Sequence, residues 1–178
     1  MSHYRIGYVL MAMSLLAWPG VASAQRTPPP LTMAADDVPN YIKTPTGYLM
    51  VLHPGDDVLA NIAKLGEQEN IPSASITGIG SLGEVTFGFY DFSTKAFQLK
   101  TVVDVEMTSL TGSIAWKEGQ VSIHSHATVA GGDFNAVGGH VMAARVGVGS
   151  VEVTVITHDK RLERKVNPAT DANVLGLY

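Results

Sequence analysis

The chain has 178 residues, no cysteine, 12 lysines and arginines against 16 aspartates and glutamates, and a formal net charge of −4. The length suits one folded domain. The acidic balance argues against a phosphate-backbone partner, and the lack of cysteine excludes a disulfide framework, so stability must come from the core, a metal or assembly.

The first residues read MSHYRIGYVLMAMSLLAWPGVASAQ. Arg5 supplies a positive charge, Ile6 to Trp18 form an apolar run without charge, and Ala22-Ser23-Ala24 has the small-x-small pattern. This is the layout of a secretory signal peptide over residues 1–24, with cleavage expected between Ala24 and Gln25. The run is too short to cross hydrocarbon, which takes roughly 20 apolar residues. The expected mature protein is exported, periplasmic or secreted, and has no membrane span. Removing residues 1–24 from 178 leaves 154, and losing Arg5 moves the charge from −4 to −5.

Residues 25–46 carry Pro28, Pro29, Pro30, Pro39 and Pro45 and few bulky apolar side chains. They read as an exposed proline-rich linker or arm, with the folded domain expected over 47–178. GYLMVLH, residues 47 to 53, is a short apolar run that predicts a strand. Pro54-Gly55 makes a turn, Asp56 is placed to cap a helix to about Asn70, and Ile71-Pro72 ends it. Downstream, SASITGIG, LGEVTFGFYDF, KAFQLKTVVDVEMTSLTGSIAW, GQVSIHSHATV and HVMAARVGVGSVEVTVITHD are rich in Val, Ile, Thr and aromatics and predict strands. The expected fold class is α+β, a single helix packed on a mostly antiparallel, barrel-like β-sheet.

Gly78-Ile79-Gly80-Ser81-Leu82-Gly83 matches GxGxxG, but a dinucleotide site needs the last glycine to open a helix. Here the motif runs into alternating strand-like sequence, so it reads as a glycine-rich turn between two strands and not a cofactor loop. The basic residues Lys160-Arg161 and Arg164-Lys165, with Glu163 between them, read as a solvated C-terminal segment.

The densest chemistry is HSHATVAGGDFNAVGGH, residues 124 to 140, which holds three of the six histidines. His124 and His126 are two apart on a strand and face the same side, about 7 Å apart at Cα. A turn through Gly131, Gly132 and Asp133 would reverse the chain, and Gly138-Gly139 would let His140 approach. Three neutral imidazoles with an open position suit a divalent metal, Zn2+ first among several first-row ions. Such histidines also occur as ordinary hydrogen-bonded residues, and folding must still bring His140 into place. His53, before a Pro-Gly turn, and His158, beside Asp159, stand in ordinary surface contexts. The cupin barrel also uses HxH on a strand, but its glutamate is missing, with Ala130 and Gly131 where it belongs, and His140 follows too closely.

From residue 47 onward the chain resembles the plants-and-prokaryotes conserved domain, the PPC domain. The resemblance rests on LHPGDDVLANIAKLGEQENIPSASITGIGSLGEVTFGFYD, VDVEMTSLTGSIAW, HSHATVAGG and GGHV in that order, with ERKVNPATD at the C-terminal end. It implies a single helix on an antiparallel sheet, a homotrimer, and His124, His126 and His140 as candidate metal ligands near subunit boundaries. Plant members pair the domain with AT-hook segments that bind the DNA minor groove; this chain has no Arg-Gly-Arg-Pro element, so nucleic acid is not an expected partner. Ala144 departs from the family, where glycine is frequent after GGH. The expected function is an exported module that holds a metal and binds a small ligand or partner. The rival is a metal-dependent enzyme of hydrolase or lyase type, with Glu106 or Asp133 as base and no nucleophile motif.

Overall fold

Residues 40–177 are described, in a computed structural model of the chain. The expected signal peptide over 1–24, and the expected arm as far as residue 39, lie outside the described residues. The elements run β1 (Tyr41–Thr44), β2 (Gly47–Leu52), α1 (Val58–Gln68), β3 (Ser73–Asp91), β4 (Ala96–Lys117), β5 (Gln120–Ala130), β6 (Ala136–His158), β7 (Glu163–Val166) and β8 (Asn173–Gly176).

The first strand corrects the boundary expected at residue 47. Tyr41 to Thr44 pair antiparallel with β2, and Val51 N–H donates to the Asn40 carbonyl at 2.8 Å. Tyr41 packs edge-on against Tyr48 and donates its hydroxyl to Glu69 at 2.9 Å. Pro45 lies in the turn between the two strands, where its missing N–H interrupts no ladder bond. Gly47 follows at φ +151°, and a Cβ there would lie 2.0 Å from the Val155 carbonyl oxygen. Only glycine lets β2 close on β6 at that point.

Among the described residues α1 is the one helix. Asp57, not Asp56, caps it: the Asp57 carboxylate accepts from Ala60 N–H at 2.9 Å. Asp56 instead accepts from His53 N–H at 2.8 Å, across the Pro54-Gly55 turn. Val58, Ile62 and Leu65 are buried at helical spacing, each contributing about 1.5–3 kcal/mol of apolar burial. Gly66 brings the helix onto β5, where an added Cβ would meet the Val121 methyls at 3.2 Å. Asn70 at φ 47° and the Ile71 N–H to Gly66 carbonyl bond, 2.9 Å, end the helix.

The eight strands form one sheet in the order β1-β2-β6-β3-β4-β7-β8, with β5 pairing both β4 and β6 off that path. Every pairing is antiparallel except the contact between Trp116 on β4 and Glu163 on β7. The expectation of one helix on a mostly antiparallel sheet therefore stands; β1 and β8 end the strand path, while β5, by pairing both β4 and β6, closes β3, β4, β5 and β6 into a ring. β3 also corrects the reading of GxGxxG. It is one continuous strand through Gly78–Gly83, kinked by register shifts between Gly78 and Gly80 and again between Gly80 and Leu82. Gly80 sits at φ +148° with room for no Cβ, which would lie 2.2 Å from the Ser150 carbonyl oxygen. The glycines serve a bulge, not a turn. The core lies between α1 and the sheet, with Met50, Leu52, Ile62, Leu65, Ile76, Val85 and Val151 fully buried. Ala144 is part of that core, and β6 runs through it without a break.

Candidate metal centre

Sheet register builds the site. His126 on β5 lies directly opposite His140 on β6, with Ala127 opposite Gly139 and Thr128 opposite Gly138. Directly opposed antiparallel residues hold their Cβ atoms about 4.5–5.5 Å apart, so the two imidazoles meet. His124, two residues earlier on β5, shares the face of His126. The three rings accordingly sit 4.9 to 5.4 Å apart, centroid to centroid. One ring nitrogen from each falls within 4.8 Å of the others. Donors on a tetrahedral Zn2+ lie about 3.3 Å apart, so modest ring rotations would bring all three onto one ion.

The reversal spans Gly131 to Asn135, so β6 begins at Ala136 and not at His140. Of the two glycines before His140, Gly138 is the one the geometry demands. A Cβ there would lie 2.5 Å from the Ala127 carbonyl oxygen, whereas one on Gly139 would meet nothing closer than 3.4 Å. Gly88 on β3 faces His140 from the other side, and a Cβ there would lie 2.7 Å from the Phe97 ring. Its absence lets Phe97 lean on His140 at 5.3 Å.

The electrostatics favour neutral imidazoles. Burial lowers His140 from its ordinary value to about 4, with His124, His126 and Arg164 adding to the shift. His124 is lowered as well, by burial first and then by Arg164 and His126. At pH 7 both rings therefore offer a lone pair to a cation.

Arg164 on β7 is the residue that sequence reasoning placed wrongly. The sequence places it in a solvated segment, yet it is buried against the histidines at 5% exposure. Its Nη2 donates to Ser113 Oγ at 2.7 Å, its Nη1 approaches His124 Nδ1 at 3.5 Å, and its Nε has no partner. Ser113 is the β4 residue paired with His124, which fixes this triangle by register. Arg161 is not a free surface cation either, since it stacks on Trp116 at 3.7 Å and pairs with Glu163 at 3.1 Å.

The histidines open into a cavity of about 680 Å³ whose other walls include Phe89, Phe92, Phe97, Met142 and Arg164. Neither acid expected as a base lines it. Glu106 faces a different cavity, beside Gly131 and Gly132. Asp133 is held in the hairpin turn, accepting from Asn135 N–H at 3.1 Å and from its amide at 2.7 Å. Glu106 pairs with Ala130 at the far end of the β4–β5 ladder from His124. His53 is exposed, and His158 Nε2 contacts Ser75 Oγ at 3.2 Å, both away from the cluster.

A single helix on a mostly antiparallel sheet, with three histidines gathered at a cavity, defines a small α+β domain with a polar centre. The family model of the Plants and Prokaryotes Conserved (PCC) domain matches residues 40–159, and the chain belongs to that family. A crystal structure of a protein from Ralstonia eutropha JMP134, provisionally described as DNA-binding, is 57% identical with a TM-score of 0.76, covering 78% of this chain and 96% of that one. One from Bacteroides thetaiotaomicron VPI-5482, with the same provisional description, is 31% identical with a TM-score of 0.72 over 76% and 95%. A metal-containing protein from Archaeoglobus fulgidus is 26% identical with a TM-score of 0.65 over 71% and 89%. No curated protein matches the chain.

Proposed function

We propose that this chain is an exported module, assembled as a homotrimer, that holds a divalent metal through His124, His126 and His140 and presents it to a small ligand or partner. The observation that carries the reading is the approach of three imidazole nitrogens within 4.8 Å of one another at the wall of a cavity. Zn2+ suits the donor set best, because three neutral imidazoles leave one tetrahedral position open toward the cavity. The description of the Archaeoglobus fulgidus relative as metal-containing supports it. Assembly is supported by exposed apolar side chains on β3 and β4 outside the cavity, Ile79 at 56%, Leu99 at 63% and Val103 at 58%. Apolar side chains so exposed call for a covering surface.

Glu106 and Asp133, the two acids expected as bases for hydrolase or lyase chemistry, lie away from the histidines, so such a reaction would rest on metal-bound water alone. DNA binding, suggested by the descriptions of two relatives, is opposed by the net charge of −4. Calorimetric titration of Zn2+ into the metal-stripped chain tests the proposal. One binding event per protomer is expected, and a titration without binding heat or metal uptake would overturn it.

A further inference from the structure

The cavity beside the histidines has two unlike walls. One is apolar and aromatic: Phe97 stacks toward Tyr90 at 5.0 Å and His140 at 5.3 Å, with Phe89, Phe92 and Met142 around them. The other is cationic. Arg164 is 5% exposed and lines the cavity, with one guanidinium nitrogen on Ser113, one at the margin of hydrogen-bond distance from His124, and Nε with no partner. The one acidic side chain on the cavity wall, Asp171, is tied to Lys95 at 3.0 Å. Among the described residues no carboxylate therefore answers Arg164.

Metal loading would sharpen this imbalance. An Arg164 N–H pointing at His124 Nδ1 needs a lone pair on that nitrogen. If a metal took the lone pair on Nε2, Nδ1 would carry a hydrogen facing the guanidinium. If the metal took Nδ1, two cations would compete for one place. In either case Arg164 Nη1 would lose His124 as an acceptor, leaving the guanidinium in the cavity wall beside a second positive centre. A planar, bidentate anion with an apolar body satisfies both walls at once.

We infer that Arg164 anchors the carboxylate of a small monocarboxylate ligand, with its carboxylate between the guanidinium and the three-histidine centre and its apolar body against Phe89, Phe92 and Phe97. This rests on the metal reading above. The test is calorimetry on the full chain loaded with Zn2+, using phenylacetate and its neutral analogue phenylacetamide as probes. Phenylacetate is expected to bind at least tenfold tighter than the amide. Arg164→Met should keep zinc at the wild-type stoichiometry and lose at least tenfold in phenylacetate affinity, with Arg164→Lys in between. Equal affinity for acid and amide, or equal phenylacetate affinity in wild type and Arg164→Met with zinc in place, would overturn the inference. Should Arg164→Met not fold, the comparison of acid with amide on the wild type decides alone. Elemental analysis of the same samples separates the two readings. Arg164-dependent phenylacetate binding by a chain that takes up no zinc would sink the metal centre and leave the anion site standing.

Discussion

His140 should make the metal-free protein sensitive to mild acid. In the folded chain its pKa is about 4, against the ordinary 6.5, because burial and the neighbouring rings and Arg164 oppose its charge. Between those two values the unfolded chain binds more protons than the folded one, so stability falls as pH falls. The contribution is fully present above about 6.5, drains through the window, and has nothing left to lose below about 4. At about 1.36 kcal/mol per pH unit the ceiling is roughly 3 kcal/mol. His140 is only half-buried, so solvent screening brings the expected loss to about 1–2 kcal/mol. That corresponds to a fall in Tm of roughly 5 °C for a domain of this size. His124, lowered for the same first reason, adds in the same direction. The assay is thermal unfolding of chelator-treated protein by circular dichroism from pH 7.5 to 4.5, for wild type and His140→Asn. The variant should lose less stability on acidification than wild type. Identical pH dependence in the two proteins would refute the placement of a neutral, buried imidazole at 140.

Gly138→Ala should destabilise the fold by about 1–3 kcal/mol and weaken metal binding, because its Cβ would lie 2.5 Å from the Ala127 carbonyl oxygen beside the His126–His140 pair. Gly132→Ala, with nothing within 4 Å, is the control and should alter neither chemical stability nor metal uptake appreciably. Light scattering on residues 25–178 should give three protomer masses, and a stable monomer at micromolar concentration would refute the trimer. N-terminal sequencing of the protein from its native host should begin at or near Gln25, whereas soluble protein starting at Met1 would refute export.

Elements with a strong period were legible from sequence. The helix was found because Val58, Ile62 and Leu65 repeat at helical spacing between a capping aspartate and Ile71-Pro72. The cap itself was misplaced by one residue, since Asp56 and Asp57 are chemically identical and only the turn geometry separates them. β1 was hidden by the prolines flanking it; its place in the sheet depends on β2, a contact that local composition does not report. The GxGxxG glycines read as a turn because a bulged strand and a tight turn ask for the same residue. In the site, the spacing of His124 and His126 announced a shared face, while His140 joined them only through the β5–β6 register. Arg164 was the hardest to see. It reaches the site through the parallel contact of β7 with β4, and the histidine nearest it in sequence, His158, is not part of the cluster.

The central claim is that three histidines act together on one metal ion. Elemental analysis of purified protein, for wild type and for His124→Ala, His126→Ala and His140→Ala, tests it most directly, with His53→Ala and His158→Ala as controls. Two ligands rarely hold Zn2+ well, so each of the three variants should lose most of its metal while both controls keep a full site. Equal metal content in all six proteins would contradict the account and leave the cluster a structural feature of the β5–β6 hairpin.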